Sequence, residues 1–467
     1  MKNPRITSQW VRLAATVAAF AVAPWTRAAN PVVQTSFTAD PAPMVHDGVV
    51  YLYTSHDEDD APPGMGNFRM LDWKCYSSTD MANWTDHGTV ASLATFPWAV
   101  QSNDAWAPQV VERAGKFYLY VPISVAGSPK NVIAVAVADR PLGPFKDALG
   151  RPLIDKADGY IDPTVFVDDG QAYLYFGNPN LWYVKLNPDM ISYSGDIVRE
   201  PTKPENYQEG PWFYKRAGHY YLAYASTCCP EGIGYAMSDR PTGPWTYQGY
   251  IVPPNQASSG NHPGIIDFKG GSYVFGFNYK LNFALTDKHH ERRSVCMAKF
   301  DYNPDGTIPA LPWWSEEGVP QIGTLDPYSR TEAETICWSG GIKTEPCSAG
   351  GLEIYPTRDG AFVEVKGVNF GAGGADSFSA SVACLAQAEV SPDAVIELHL
   401  DRVAGPLIGT LPVPDTGGRW KIATTAVTNP TGIHDLFLVF KGATAGRSLK
   451  TDYWQFTRKA TNSSRPQ

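Results

Sequence analysis

The sequence predicts an all-β protein in which a five-bladed β-propeller precedes a β-sandwich of the jelly-roll kind. One motif occurs five times: a proline, six residues, a glycine, two residues and a tyrosine. Successive glycines lie 67, 55, 48 and 52 residues apart, and propeller blades repeat every roughly 40–50 residues. Beyond the repeats the chain changes to isolated strand-like runs. The five copies are Pro41/Gly48/Tyr51, Pro108/Gly115/Tyr118, Pro163/Gly170/Tyr173, Pro211/Gly218/Tyr221 and Pro263/Gly270/Tyr273.

Each copy of the motif has the pattern of a β-hairpin, as Tyr160–Gly177 (YIDPTVFVDDGQAYLYFG) illustrates. A short apolar strand leads into a glycine turn, and a tyrosine-rich strand follows it. Five hairpins at this period predict five blades, and we assign residues 30–325 to the propeller. Later strand-like runs alternate with Gly, Pro and Asn turns, which predicts a β-sandwich over residues 330–457. Residues 458–467 are predicted to form a polar tail.

Residues 1–29 have the composition of a secretory signal peptide. Lys2, Arg5 and Arg12 precede an apolar run, Leu13–Pro24, which is too short to span a bilayer as a helix. We therefore expect the protein to be secreted or periplasmic. No other stretch approaches ~20 consecutive apolar residues, so we expect the exported protein to be soluble.

The formal charge of −9 disfavours nucleic acid and anionic membranes as partners. A neutral substrate fits better, and the 14 Trp and 24 Tyr offer faces for sugar rings as well as for packing within blades. We expect a monomer. The seven cysteines leave at least one unpaired within the chain. Cys337 with Cys347, or the adjacent Cys228 and Cys229, are the candidate disulfides.

The residue before each repeat proline carries the chemical information. The first strand of every propeller blade lines the central channel, so these positions converge from distant parts of the sequence. Asp40, Asp162 and Glu209, the last one residue earlier than the others, would then meet at one axial site. A single acid before a proline often only caps a turn, but three carboxylates together are costly unless they bind a cation or perform acid–base chemistry. The five positions hold Asp40, Ala107, Asp162, Gly210 and His262.

Glycoside hydrolysis is the chemistry that these acids favour. Two carboxylates that flank a glycosidic bond suffice for it, one as acid and the other as base or nucleophile. A third can adjust the protonation and orientation of its neighbour. The sequence contains no serine nucleophile elbow, glycine-rich phosphate loop or closely spaced His/Asp metal motif. A sugar-binding propeller without turnover is the alternative from another functional class.

The chain resembles family 43 glycoside hydrolases over about residues 30–315, because three blocks look like that family's catalytic blocks in the same order. The resemblance implies an inverting reaction. Asp40 would be the general base acting on water and Glu209 the general acid, while Asp162 would keep Glu209 protonated near neutral pH. The blocks are Asp40-Pro41, Tyr160-Ile161-Asp162-Pro163 and Glu209-Gly210-Pro211-Trp212.

Further blocks resemble arabinoxylan arabinofuranohydrolases, members of that family that remove arabinose side chains from xylan. This resemblance implies that Asn261 and Trp106 contact the sugar. It also implies that Arg293, with Arg292 as the alternative, donates hydrogen bonds to sugar hydroxyls. His262 would stand near a cation in the channel, for which Ca²⁺ is the candidate; a histidine satisfied inside the channel is the other interpretation. The blocks are Thr38-Ala39-Asp40-Pro41, Ser102-Asn103-Asp104-Ala105-Trp106-Ala107 and Arg292-Arg293-Ser294-Val295-Cys296.

The predicted sandwich resembles family 6 carbohydrate-binding modules throughout. That resemblance implies a structural Ca²⁺ held by Glu332, Glu334 and Asp452, and Trp420 as a sugar-stacking aromatic. Lys450 stands where such modules usually have an asparagine, so sugar binding by this module is left open. The opening and closing blocks are Arg330-Thr331-Glu332-Ala333-Glu334 and Asp452-Tyr453-Trp454-Gln455-Phe456.

Together these observations predict a secreted, inverting, exo-acting glycosidase. Its expected reaction is the removal of α-L-arabinofuranosyl side chains from arabinoxylan, a plant cell-wall polysaccharide. β-Xylosidase and endo-arabinanase are the rivals among enzymes, because the same three acids serve all of them and pocket loops decide between them.

Overall fold

The computed structural model describes residues 29–127, 131–155, 159–255, 260–385, 390–443 and 448–459. The predicted signal peptide, apart from its last residue, and most of the predicted polar tail lie outside the described residues. The described part is almost entirely β: five sheets built from consecutive strands come first, and two larger sheets follow. The predicted all-β class, a propeller followed by a sandwich, is confirmed.

Five antiparallel sheets form the blades, each with its strands paired in sequence order. The strands of the first blade are β1 (Phe37–His46), β2 (Val49–Asp57), β3 (Asp72–Ser78) and β4 (Trp84–Ser92). Those of the second are β5 (Gln109–Arg113), β6 (Lys116–Ile123), β7 (Val132–Ala138) and β8 (Lys146–Asp147), and those of the third are β9 (Thr164–Asp168), β10 (Gln171–Phe176), β11 (Trp182–Leu186) and β12 (Tyr193–Arg199). The last two blades comprise β13 (Tyr207–Arg216), β14 (His219–Ser226), β15 (Gly232–Ser238), β16 (Thr246–Val252), and then β17 (Gly264–Phe268), β18 (Gly271–Asn278) and β19 (Ser294–Phe300).

The first strands of the blades stand next to one another around the axis. β1 packs against β5 and β17, and β9 packs against β5 and β13. The five repeat prolines lie in or just before these strands and line one small cavity together. The repeat therefore marks the axis-facing strand of each blade, as its spacing predicted.

The repeat glycines close the hairpins between the first and second strands of the blades. In the third blade Gly170 has a φ of 85° and the preceding Asp169 has a φ of 46°, and this pair connects β9 to β10 directly. Two-residue turns with both φ angles positive match the twist of the flanking strands. Glycine takes this conformation without steric cost, which explains why it recurs at a fixed place in all five copies.

The N-terminal segment joins the first blade to the last. The Val32 amide donates to the Val295 carbonyl at 2.8 Å, and the Thr38 amide donates to the Arg293 carbonyl at 2.9 Å. Residues at and just before β1 therefore run beside β19. This pairing satisfies backbone groups that would otherwise form an open sheet edge.

The second domain is a sandwich of two antiparallel sheets with an apolar core between them. One sheet contains β20 (Thr331–Glu332), β23 (Ile342–Pro346), β24 (Leu352–Pro356), β26 (Ala375–Cys384), β29 (Lys421–Ala426) and β31 (Leu449–Arg458). The other contains β22 (Trp338–Gly340), β25 (Ala361–Gly371), β27 (Val390–Leu400), β28 (Leu407–Pro412) and β30 (Gly432–Ala443). Helix in the described residues is limited to α1 (Lys280–Leu285) and a 3₁₀ turn, Leu93–Thr95; no described helix is long and apolar enough to cross a membrane.

The sandwich is docked on the first blade. Its strand β21 (Thr335–Ile336) pairs with β4 and so extends the blade by one strand. The buried Asn83 accepts from the Lys366 amide at 2.8 Å and donates to the Lys366 carbonyl at 3.0 Å. Thr344 Oγ1 donates to Asp86 Oδ2 at 2.9 Å. Because these bonds use backbone groups and buried side chains, the two domains are packed directly against each other.

One of the two candidate disulfides is present in the structure. Cys228 and Cys229 are bonded to each other in the turn after β14. Cys337 and Cys347 are separate buried thiols, so that candidate pairing is wrong for this structure.

Candidate active site

A local turn of the backbone aims the acidic side chains into the channel. Asp40 and Asp162 have φ angles of 50° and 58°, and Gly210 has 57°, a left-handed conformation that aspartate tolerates better than most residues. The pairing registers of β1 and β13 shift at the same place, as in the β-bulges that re-aim side chains beside active sites. In the fourth blade the glycine occupies this position, and the acid, Glu209, stands one residue earlier.

The three acids surround one imidazole ring. His262 Nδ1 lies 3.3 Å from Asp40 Oδ1, while Nε2 lies 3.6 Å from Asp162 Oδ2 and 3.8 Å from Glu209 Oε1. A Cβ at Gly210 would lie 2.6 Å from the His262 ring, so only glycine permits this approach. The structure thus brings the three sequence-distant acids together, and it places the axial residue of the fifth blade between them.

A buried arginine and a serine hold Asp40. Arg293 Nη1 donates to Asp40 Oδ1 at 3.0 Å, and Ser55 Oγ donates to Oδ2. Arg293 is itself held by the fully buried Asp57, which accepts from its Nε at 3.0 Å, its Nη2 at 2.9 Å and its backbone N at 2.8 Å. Burial raises the pKa of Asp57, although the guanidinium opposes this shift. Both oxygens of Asp40 therefore accept a hydrogen bond, and these bonds fix the orientation of its carboxylate.

Glu209 is the most accessible of the three acids, with 17% of its side chain exposed. Asn178 Nδ2 donates to its Oε2, and Gln208 Nε2 donates to Asn178 Oδ1 at 3.0 Å. Asp162 Oδ2 accepts from the Gly210 amide at 3.0 Å. Because Gly210 follows Glu209 directly, this bond fixes the backbone of one acid against the carboxylate of another.

The buried groups at the axis bind protons more strongly than the same groups do in water. Burial raises the pKa of Asp162 to about 7, with the charges of Glu209 and Asp40 adding to the effect and His262 opposing it. Burial works against a charge on His262, but the carboxylates of Asp162, Asp40 and Glu209 outweigh it and raise the histidine pKa to about 10. At neutral pH the ring is therefore an imidazolium that partly neutralises the acids.

A pocket of about 360 Å³ opens above the acids, within the size range of small-ligand sites. Phe68, Met70, Trp106 and Ile161 supply apolar wall, and Arg293 lies among the polar groups that line it. On the other side of the acids, the cavity between the repeat prolines has only about 20 Å³, room for about one water and far too little for a sugar. Among the described residues, the pocket side is therefore the side with room for a sugar to reach the acids.

The predicted sugar contacts have different outcomes. Trp106 and Arg293 line the pocket, whereas Arg292 points elsewhere and donates to the Asp59 carbonyl. Asn261 is fully buried and is absent from the pocket lining. Its Oδ1 accepts from the Phe277 amide at 3.3 Å, so it supports β18, while its Nδ2 has no hydrogen-bond partner among the described residues. A contact between Asn261 and the sugar stays a prediction.

Sequence reasoning missed Asp57, Asn178 and Glu231. None of them belongs to the repeat motif, because all three lie at the end of the second strand of a blade or in the turn that leads from it to the third strand. Glu231 is a buried acid whose Oε2 accepts from the Asn261 amide at 2.7 Å. The runs Ser55-His56-Asp57 and Asn178-Pro179-Asn180 contain polar residues at the ends of apolar strands, the one signal that could have marked two of them.

The axial site offers ligand atoms for a cation, because those of Asp162, Glu209 and His262 lie within 4.8 Å of one another. Both ring nitrogens of His262 also face carboxylate oxygens, so the ring has ion-pair partners within the protein as well. The role of His262 beside a cation stays a prediction.

The predicted calcium ligands of the sandwich fit in part. Glu334 Oε2 and Asp452 Oδ1 are buried and have no hydrogen-bond donor, and burial raises the pKa of Glu334 to about 8. Asp452 Oδ1 lies 3.6 Å from Arg330 Nη2. Glu332 differs, because both of its oxygens accept from Arg330 at 2.8 Å. Two oxygens, from Glu334 and Asp452, are thus available to a hard cation.

The sequence profile described as glycosyl hydrolases family 43 matches residues 28–308. The chain belongs to this family. It is therefore a glycoside hydrolase, and the non-catalytic sugar-binding propeller is set aside. The profile of the carbohydrate binding module (family 6) matches residues 332–458 of this family 43 enzyme, as the second resemblance implied.

Similar proteins cover either both domains or the propeller alone. An arabinoxylan arabinofuranohydrolase from Paenibacillus polymyxa is 34% identical over 92% of this chain and 74% of its own length. The crystal structure of a family 43 arabinoxylan arabinofuranohydrolase from Bacillus subtilis, in complex with cellotetraose, is 33% identical, with a TM-score of 0.79 over 93% of this chain and 99% of that one. A xylosidase/arabinosidase from Bacteroides ovatus is 32% identical over 58% of this chain and 94% of its own.

Replacing Arg293 by methionine should cost stability as well as activity. The substitution leaves Asp57 buried without its counter-charge, which destabilises proteins by about 3–5 kcal/mol. Urea unfolding of Arg293→Met against wild type measures the loss. Arg292→Met is the matched control, because that arginine bonds a surface carbonyl and should change stability by no more than about 1 kcal/mol. Equal losses of stability in the two variants would contradict the role of Arg293 as the counter-charge of Asp57.

Activity should fall as the pH rises through about 7. Burial and the charges of Glu209 and Asp40 raise the pKa of Asp162 to about 7, so the closely packed acids hold a proton below that pH and lose it above. Because protonation of the leaving oxygen needs that proton, kcat/KM on arabinoxylan should decline on the alkaline side with a midpoint near 7. Asp162→Asn removes the negative charge that helps to keep the proton in the site, so the alkaline limb should move to lower pH and the rate should fall about 10- to 100-fold. A wild-type profile that is flat from pH 6 to 9 would exclude this role.

Proposed function

We propose that this glycoside hydrolase removes α-L-arabinofuranosyl side chains from arabinoxylan, that it acts with inversion, and that it is exported to the periplasm or the medium. The observation that carries the substrate is the extent of similarity. Proteins named arabinoxylan arabinofuranohydrolases match both domains at 33–34% identity. Of two relatives named xylosidase/arabinosidase, one matches both domains at only 24% identity, and the other, at 32%, matches little more than the propeller. The one-sided pocket also supports release of a single terminal or branching sugar, because a polymer cannot pass through the axis.

The proposed reaction assigns one task to each group at the axis. Asp40 takes a proton from a water molecule as the oxygen of that water forms a bond to the anomeric carbon. The glycosidic bond breaks at the same time, and Glu209 gives its proton to the leaving oxygen. Asp162 disfavours a second negative charge beside Glu209, and Arg293 holds Asp40 in line.

The arrangement of the acids is compatible with inversion. Asp40 and Glu209 contact opposite nitrogens of the His262 ring at 3.3 and 3.8 Å. The imidazole thus stands between these two contacting oxygens; inverting enzymes keep their two carboxyl groups roughly 6.5–9.5 Å apart to accommodate a water.

A β-xylosidase activity is the second candidate, because a relative named xylosidase/arabinosidase aligns over 94% of its own length. Arabinose release from wheat arabinoxylan, with 4-nitrophenyl α-L-arabinofuranoside, 4-nitrophenyl β-D-xyloside and linear arabinan assayed in parallel, distinguishes the possibilities. We expect arabinose release from the polymer and a preference for the arabinofuranoside over the xyloside of at least about tenfold in kcat/KM. A reversed preference would establish the xylosidase, and cleavage of linear arabinan alone would establish an arabinanase.

Glu209→Ala then tests the assigned acid on the same substrates. Loss of a general acid costs about 10²–10⁴-fold when the leaving group needs a proton. The loss should therefore be large on arabinoxylan and much smaller on the 4-nitrophenyl glycoside, whose leaving group departs without help. An equal loss on both substrates would show that Glu209 does not protonate the leaving oxygen.

We also propose that the second domain holds a structural Ca²⁺ through Glu334 and Asp452, each of which has one buried oxygen without a donor, Oε2 and Oδ1 respectively. The ion would supply positive charge for oxygens that are costly to bury alone. Chelation with EDTA should lower the melting temperature by about 5 °C, and added CaCl₂ should restore it. Glu334→Gln should melt at a temperature that neither treatment changes. A wild-type protein that is indifferent to both treatments would exclude the ion.

For its partners, we propose a plant cell-wall polysaccharide as substrate and a monomeric state. Sugar binding by the second domain is less well supported than its fold. Lys450 forms ion pairs with Glu345 at 2.6 Å and Glu353 at 2.5 Å, so its ammonium is engaged with protein rather than free for a ligand. Trp420 is partly exposed and donates to Ser348 Oγ at 3.1 Å, which leaves its ring face as the aromatic surface of that region.

A further inference from the structure

Glu231 is a fourth buried acid near the axis, and the mechanism above does not use it. It lies in the turn between β14 and β15 and is only 1% exposed, although the preceding Cys228 and Cys229 are both exposed. It is not among the residues that line the pocket. Burying a carboxylate is costly unless it is hydrogen-bonded, so its contacts indicate what it does.

The Glu231 carboxylate holds the turn that leads into the fifth blade. Its Oε2 accepts from the Asn261 amide at 2.7 Å, and the Gly260 amide also donates to this carboxylate. The next residue, His262, donates its own amide to the Gly260 carbonyl at 3.0 Å. Glu231 thus binds two consecutive amides immediately before the imidazole that separates the three acids.

The position of this turn is closely constrained on the pocket side. Gly260 has a φ of 71° and lines the pocket. A Cβ placed on it would lie 3.5 Å from Arg293 Nη1 and 3.7 Å from Glu209 Oε1. The turn therefore lies between Arg293, which holds Asp40, and Glu209. A shift of about 1 Å there would disturb both.

Charge repulsion also couples Glu231 to the site. Burial, reinforced by the nearby charge of Glu209, raises the pKa of Glu231 to about 8. A neutral carboxyl still offers an oxygen to the two amides. The hydrogen-bonding task of Glu231 therefore does not require a negative charge, which suggests that glutamine can replace it.

We propose that Glu231 is a positioning residue for catalysis: by binding the amides of Gly260 and Asn261 it sets the place of His262 between Asp40, Asp162 and Glu209. It acts through the backbone of the turn and not by touching the sugar. The inference rests on the proposed roles of the three acids, but not on which sugar they release.

The test compares Glu231→Ala with Glu231→Gln. Alanine removes the acceptor, and displacement of reacting groups by about 1 Å costs on the order of 10²-fold. We expect kcat of Glu231→Ala to fall about 100-fold on arabinoxylan and on the aryl glycoside, with KM changed by less than about threefold because the pocket lining is intact. Glu231→Gln retains an oxygen for the Asn261 amide and should recover most of kcat, to within about fivefold of wild type.

Glu200→Ala is the matched control. Glu200 is likewise buried, at 3% exposure, and its Oε1 accepts from the Thr202 amide at 3.0 Å and from Thr202 Oγ1 at 2.7 Å. It follows β12, outside the pocket lining. The Glu200 substitution should lower thermal stability as Glu231→Ala does but leave kcat near wild type when both are assayed well below their melting temperatures.

Three results would overturn the positioning role. One is an equal loss of kcat in Glu200→Ala and Glu231→Ala, which would indicate general destabilisation. Another is a loss in Glu231→Ala that resides in KM, and the third is a glutamine variant as impaired as the alanine variant. Wild-type enzyme that cleaves aryl glycosides but releases no arabinose from arabinoxylan would instead reject the proposed substrate, and Glu231 would still be tested on the aryl glycoside.

Discussion

The ion-pair cluster around His262 is the interaction on which the active site depends. Three ionised carboxylates are costly to hold in one buried space without compensating positive charge, because each disfavours the ionised form of the others. Two cations provide it: the imidazolium of His262 between the acids and the guanidinium of Arg293 bound to Asp40. With these cations beside the acids, the site can gain and lose a proton near neutral pH.

The propeller supplies this cluster by repeating one local structure. In each blade a two-residue turn follows the axial strand, and in three blades a left-handed residue at the axis redirects the chain. Strain of this kind is tolerated where the surrounding structure over-determines it. Here the ring of prolines and the neighbouring blades provide that support. In the fourth blade a glycine stands where the first and third blades have an aspartate, and the backbone keeps the same left-handed conformation. The acid stands one residue earlier, and the imidazole of His262 fills the space that a Cβ would have taken.

The second domain contributes through the first blade and not through the pocket. Its strand β21 continues the sheet that carries Asp40 in β1, and the Asn83–Lys366 bonds fasten the two cores together. The two domains therefore share a hydrogen-bonded sheet, so the module adds burial to the blade that holds the general base of the proposed reaction. Any role in polysaccharide binding comes in addition to this structural one.

The sequence by itself determined the parts of the protein that depend on periodic local rules. The proline–glycine–tyrosine repeat predicted five hairpins because the turn requires glycine, the axial positions predicted Asp40, Asp162 and Glu209 because blades are equivalent, and the blocks of both domains indicated their families. Tertiary structure alone decided the residues that act across blades. Asp57 binds Arg293 from more than 230 positions away, Asn261 turns its side chain into the protein, and Glu231 reaches the turn before His262. Such contacts are set by how loops from different blades fold over the axis, and loop conformations follow from packing against neighbours that no spacing along the chain encodes.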